Sequence, residues 1–201
     1  MTTFWLVRHG QTEWNLEGRY QGQADVPLNA AGMLQAQTLA AELAGQPFDA
    51  IYSSDLQRAR VTAEIIGQSL NLPVHIDERL REINQGQWEG RIYRDLLATH
   101  GEEMLARRNN PYGFRPPDGE SAGEVALRVI QVADEIATAY PKGRIIIVSH
   151  ALALAALFCK AKNLPLVEVY DHLPHNAHPK VVRWPPEAAN QEISSSETVS
   201  G

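Results

Sequence analysis

Two histidines in this chain stand where short apolar runs end. Arg8-His9-Gly10 follows residues 4–7, and Ser149-His150 follows residues 145–148. A lone histidine at a strand end is more often structural than reactive, so residue type alone decides little. What sets the first apart is its surroundings. The run from Leu6 to Asn15 contains the pattern R-H-G-x-T-x-x-N, five fixed positions directly after an apolar strand. Arginine far outnumbers lysine in the chain. A guanidinium is a planar fork that grips phosphate at two points, whereas an ammonium is a point charge. The formal net charge is −6, which argues against nucleic acid or an anionic membrane as a bulk partner. Any anion must then be held by a local basic pocket working against that field.

The elements that position these residues follow from the apolar runs and the punctuation between them. Short strands are expected at residues 4–7, 51–52, 74–76, 145–148 and 181–184, the fourth being four β-branched residues in a row. Asn29 can cap a helix running to about Leu43. A second helix is expected over residues 56–69, closed by Asn71-Leu72-Pro73. Ser121 with Glu124 three residues on forms a capping box for a long helix to about Tyr140. A fourth, apolar helix starts near Ala151. Strands alternating with helices predict an α/β fold: a single domain with a mixed, largely parallel sheet and helices on both faces. Such sheets bind ligands at the carboxyl ends of their strands, where both histidines fall. Residues 107–118, with three prolines, two asparagines and a glycine, read as a long loop and a lid. The domain spans residues 1–184, and the polar, Ser- and Glu-rich residues 185–201 read as a disordered tail. Cys159 is the only cysteine, the N-terminus has no basic leader, and no window reaches the roughly 18 apolar residues of a membrane span. The expected location is the cytoplasm.

The first motif resembles the signature of the histidine phosphatase superfamily, the phosphoglycerate mutase-like proteins. The rest of the chain is similar to that family in the same order. A second block is Ser54-Asp55-Leu56-Gln57-Arg58-Ala59 with Thr62-Ala63. A third is Leu80-Arg81-Glu82-Ile83 with Gly86, Trp88, Glu89 and Gly90, and a fourth is Val148-Ser149-His150. Smaller echoes are Gln21-Gly22, Asp25, Pro27-Leu28, Gly32, Gly119-Glu120-Ser121 and Asn176. The resemblance covers about residues 4–184, leaving out the lid loop and the tail.

The resemblance implies a phosphate-monoester hydrolase that works through a covalent phosphohistidine on His9. It makes Arg8, Arg58 and His150 the phosphate cradle, with Asn15 as a neutral donor. Glu82 becomes the proton carrier that protonates the leaving oxygen and then activates water. The chemistry agrees: a dianionic ester needs cations and donors around its oxygens, and adjacent cations favour the neutral, nucleophilic form of histidine. With side chains supplying this charge, no metal or other cofactor is expected. A salt bridge to Arg81 is the bland alternative for Glu82. Where many family members have Gly after the second histidine, this chain has Ala151, which would be strained if that position needed positive φ. His172, His175 and His178 are spaced like metal ligands but read as a His-rich loop at the pocket rim.

The family holds hydrolases and mutases. Cofactor-dependent mutases have Glu-Ser after Arg-His-Gly, where this chain has Gln11-Thr12, and they carry a larger insertion than residues 90–119 here. That favours a hydrolase acting on a small phosphorylated metabolite, with a phosphoglycerate mutase as the alternative and a non-catalytic phosphate-binding module as a second. Substrate choice is expected at Gln21, Gly22, Arg107, Arg108, Tyr112, Arg115 and His175. The arginines there suit a second anionic group, and Tyr112 and Phe114 suit an apolar or ring portion.

Overall fold

The computed structural model describes residues 1–186. Five strands form one sheet: β1 (Thr2–Arg8), β2 (Ala50–Ser53), β3 (Val74–Ile76), β4 (Arg144–Ser149) and β5 (Pro179–Trp184). Their order is β3-β2-β4-β1-β5. All neighbours are parallel except β5, which runs antiparallel to β1 at the edge. The helices are α1 (Glu13–Glu17), α2 (Ala30–Leu43), α3 (Gln57–Leu70), α4 (Tyr93–Thr99), α5 (Gly101–Asn109), α6 (Ala122–Ala139) and α7 (Ala151–Ala161).

The central strands are apolar on both sides because both sides are covered. Phe4, Leu6, Ile145 and Ile147 pack with α6 and α7 in one core. Val7, Ile51, Ile146 and Val148 pack with α2 and α3 in the other. The helix ends follow the caps read from sequence. The Asn29 side chain accepts from the Gly32 N–H, Asn71 closes α3 in the left-handed conformation, and Ser121 and Glu124 form a reciprocal capping box. Thr12 and Asn15 form a further capping box, on α1.

Residues 107–118 depart from the expected loop. Arg107 and Arg108 belong to the last turn of α5, and the irregular segment begins only at Asn110. The prolines at 111, 116 and 117 account for that irregular part. The short helices α4 and α5 arise because each tucks one side chain, Leu96 and Arg107, against the rest of the domain. The tail expected over residues 185–201 lies, from residue 187, outside the described residues. No helix among the described residues is long and apolar enough to cross a membrane.

Candidate active site

The sheet register brings the two histidines together. Arg8 of β1 pairs with Ser149 of β4, so His9 and His150 leave the sheet side by side. The His9 N–H donates to the Ser149 carbonyl at 3.0 Å, and the two rings lie 5.2 Å apart. The next strand over adds Ser54, whose N–H donates to the Val148 carbonyl and whose hydroxyl lies 2.9 Å from His150 Nε2. Gly10 then turns the chain against the start of α2. A Cβ at Gly10 would stand 2.4 Å from the Gly32 carbonyl oxygen, so only glycine allows this approach.

Both rings are buried. His9 Nδ1 lies 2.7 Å from the Gly10 carbonyl. A carbonyl only accepts, so Nδ1 carries the proton and Nε2 keeps its lone pair. Burial first, then the guanidinium charges of Arg58 and Arg8, hold the His9 pKa well below the ordinary histidine range. Burial first, then the neighbouring Arg58, His9, Arg8 and Arg128, do the same to His150. Both rings are therefore neutral near pH 7.

Two arginines are fixed by main-chain carbonyls rather than by carboxylates. Arg8 Nη1 donates to Pro174 O at 2.9 Å. Arg58 Nη1 and Nη2 donate to Ala24 O and Gly22 O at 2.6 and 2.7 Å. Burial lowers the Arg58 guanidinium to about 10, still charged at neutral pH. Asn15 spends its Oδ1 on the Thr12 N–H and hydroxyl, which leaves its Nδ2 as a donor at the cavity wall. Arg81 pairs with Asp55, not with Glu82. The Glu82 carboxyl oxygens instead accept from the main-chain N–H groups of Ile83, Leu152 and Ala153 at 3.0–3.3 Å. Ala151 opens α7 without positive φ, so the expected strain is absent.

These groups form the floor of a cavity of about 380 Å³. Arg8, His9, Asn15, Gln21, Gly22, Arg58 and Glu82 line it, together with Arg107 and Arg108 from α5. Its lining holds five arginines, the fifth being Arg19, against one acidic side chain, Glu82; Arg19 and Arg108 pair with Glu17 and Asp171 outside the lining, and Arg8, Arg58 and Arg107 are left to face the cavity. The basic pocket required by the net charge is thus present. His150 lies beneath the lining, in ring contact with His9.

The structure separates three expected specificity residues from this cavity. Tyr112 is exposed and lies against Gly123 of α6. Arg115 pairs with Glu124 at 2.9 Å, which draws it back onto α6. His175 is exposed with its ring toward His178. None of the three lines the cavity. His172 packs at a tilt against Phe158 and faces Glu168 instead of joining the other two histidines. Conversely, Tyr20, Gln85, Tyr93, Met104, Tyr170 and Leu173 line it without having been anticipated. Tyr20, next to the anticipated Gln21-Gly22, and Gln85, three residues after Glu82, had a sequence signal in their neighbours. Tyr170 had none.

Among the described residues, six buried side-chain polar atoms have no protein partner: Arg8 Nε, Arg58 Nε, His150 Nδ1, Gln21 Oε1, Gln85 Oε1 and Arg107 Nη1. All six belong to the cavity wall or to His150 beneath it. Buried polar groups are normally paired, so this concentration marks the cavity as a binding site. The first three stand on the floor. The other three belong to residues along the remaining wall.

Comparison with known proteins agrees with the geometry. Residues 4–193 match the model of the histidine phosphatase superfamily, branch 1. The chain is 33% identical to phosphoserine phosphatase 1 of Hydrogenobacter thermophilus over 177 residues, 88% of this chain and 84% of that protein. It is 42% identical to the probable phosphoglycerate mutase GpmB of Escherichia coli over 168 residues, 82% of this chain and 77% of the relative. Its fold superposes on the mycobacterial glucosyl-3-phosphoglycerate phosphatase solved with VO3 at a TM-score of 0.83 and 31% identity, covering 89% of this chain and 90% of that one. The chain belongs to the histidine phosphatase superfamily and has its phosphoglycerate mutase-like fold.

Proposed function

We propose that this chain is a phosphate-monoester hydrolase acting through a covalent phosphohistidine on His9, without a metal. The observation that carries the reading is the His9 ring itself. It is neutral, its Nδ1 proton is committed to Gly10, and it lies in the floor of a cavity walled by guanidiniums. The Nε2 lone pair attacks phosphorus, the bond to the ester oxygen breaks, and Glu82 gives its proton to that leaving oxygen. Water then attacks the phosphohistidine, Glu82 takes the proton from the water, and the P–N electrons return to Nε2. Orthophosphate leaves, with His9 neutral and Glu82 protonated again. Arg8, Arg58 and Asn15 supply donors and charge to the phosphoryl oxygens. With Ser54 donating to His150 Nε2, the His150 Nδ1 hydrogen is a further donor. Arg8, Arg58 and Arg107, which have no carboxylate partner among the described residues, supply the positive charge that a metal would otherwise bring.

The remaining wall selects the rest of the substrate. Arg107 is a buried cation with no carboxylate partner among the described residues, which suits a second anionic group, while Arg108 at the rim is already paired with Asp171. The Gln21 and Gln85 amide oxygens suit hydroxyl or amino hydrogens. A small hydroxy- or amino-acid phosphate meets both demands. Phosphoserine and phosphoglycerates, the compounds in the relatives' names, are of this kind. Lone, buried Cys159 supports action in the cytoplasm.

The 42% identity to a probable phosphoglycerate mutase favours one second reading, in which the phosphoryl group returns to a sugar acid instead of water. The deciding experiment is hydrolysis of p-nitrophenyl phosphate in excess EDTA by wild type and His9→Ala. Turnover by wild type that vanishes in the variant is the expected result. Activity surviving in His9→Ala overturns the nucleophile. An inert wild type that interconverts phosphoglycerates when primed with a bisphosphate is a mutase, and one that binds phosphate but turns over neither is a binding module.

A further inference from the structure

The carboxylate of Glu82 is oriented by main-chain N–H groups, and the main chain that carries it is itself held from behind. Arg128 of α6 donates through Nη1 to the carbonyls of Arg79 and Arg81 at 2.7 and 2.6 Å, and through Nη2 to the Glu82 carbonyl at 2.9 Å. Its remaining donors go to Glu120: Nε to Oε1 at 3.1 Å and Nη2 to Oε2 at 3.0 Å. A guanidinium has five N–H groups in a rigid plane, and here all five are used. Glu120 also grips the far side of the segment. Its Oε2 accepts from the Asn84 N–H at 2.8 Å, and its own N–H donates to the Asn84 carbonyl at 2.9 Å. Residues 79–84 are therefore clamped on both sides of Glu82.

Arg128 does not line the cavity. Its charge also reaches the His150 ring, but an effect through that ring falls on every ester alike, whereas an effect through the segment that carries Glu82 depends on the leaving group. We propose that Arg128, locked in place by Glu120, is a positioning residue that sets the Glu82 carboxyl at the leaving oxygen of the ester. A lysine cannot replace it, because three donors on a flexible stem cannot span three carbonyls and a carboxylate at once. The inference rests on the reading of Glu82 as proton carrier.

Proton donation matters only when the leaving oxygen is basic. An alkyl phosphate expels an alkoxide and needs the proton, whereas p-nitrophenyl phosphate expels a stabilised aryloxide and does not. The test is kcat/KM for these two esters, with thermal melts, in wild type, Glu82→Gln, Arg128→Met and Arg128→Lys. Glu82→Gln is expected to lose roughly 10²–10⁴-fold on the alkyl ester and far less on the aryl ester. Arg128→Met is expected to show the same split, up to about 10²-fold on the alkyl ester, with Arg128→Lys in between. Equal losses on both esters in Arg128→Met, or none, overturn the positioning role while leaving Glu82 in place. Absence of the split in Glu82→Gln overturns the reading of Glu82 and the proposal with it. If Arg128→Met does not fold, Glu120→Gln, which weakens the lock but leaves Arg128 on its carbonyls, must show the split in reduced form, and its absence there counts against the proposal.

Discussion

His9 and Arg107 face the same cavity but are held there in different ways. His9 sits one residue beyond a strand, fixed by register to β4 and by a main-chain hydrogen bond to Ser149. Arg107 sits on a nine-residue helix with no side-chain N-cap. Its guanidinium is held by Tyr170, whose hydroxyl accepts from Nε at 2.9 Å, and by the rings of Tyr20, Trp88 and Tyr170 at 5.1, 5.8 and 5.4 Å. The floor is thus part of the sheet, and the cap is a set of side chains resting on one another. A rigid floor suits a reaction common to many esters, and a cap built from replaceable contacts suits the choice among them.

The sharpest way to break this division is Arg58→Met. The variant removes a floor cation that every substrate's phosphate meets. kcat/KM should fall by about 10²–10³-fold on every ester, whatever its organic part. Measured over a panel of aryl, alkyl and acid-bearing phosphates, a uniform loss supports the division. A loss confined to some substrates would mean that the floor also discriminates.

Arg107→Met tests the cap. A hydrogen bond to a charged group contributes about 1.5–3 kcal/mol, so kcat/KM for phosphoserine or a phosphoglycerate should fall roughly 10–100-fold. p-Nitrophenyl phosphate, which has no second anion, should change little. Competition between the two esters in one assay reads this ratio directly. Equal losses on both would show that Arg107 supports the floor instead of choosing the substrate.

The same contrast explains what could be read from the residues in order. Strand, turn and cap at the floor are local events: Ile145 to Val148 make a buried strand, Asn29 and Ser121 start helices, and Arg8-His9-Gly10 must follow β1. Placing His9 beside His150 needs in addition that β1 and β4 be neighbours, which the strand order β3-β2-β4-β1-β5 supplies and local signals do not. The cap gives no such signal. Leu96 is the one buried residue of α4 and Arg107 the one buried residue of α5, so neither helix shows an apolar stripe. Arg107 could be suspected from its charge, but its three rings come from residues 20, 88 and 170. Residue type alone draws Tyr112 and Arg115 to the cavity, and Arg115 is turned away by a carboxylate, Glu124, that nothing in the local sequence pairs with it. Gln85 lies only three residues after Glu82, but unlike Gln21 it belongs to none of the motif blocks, and its buried, unpartnered Oε1 shows only in the fold.

The smallest effect separates floor from cap by stability. His9 and His150 are both buried and neutral, their pKa values held down first by burial and then by neighbouring cations. The folded protein therefore binds fewer protons than the unfolded chain wherever an unfolded histidine is protonated, below about pH 6.5. Stability rises with pH when the unfolded state binds more protons. The contribution is thus fully present above about pH 6.5 and is lost as pH falls from there toward the folded pKa values. The slope approaches about 1.4 kcal/mol per pH unit for each histidine. Urea unfolding at several pH values between about 7 and 5 should show it. His9→Asn and His150→Asn should each flatten the slope by about one proton, whatever they do to stability at neutral pH. Arg107→Met should leave the slope as it is, because the cap residue does not hold either ring neutral. If the histidine variants keep the wild-type slope, those rings take up protons in the folded state, and the neutral nucleophile on which the floor's chemistry depends is lost with them.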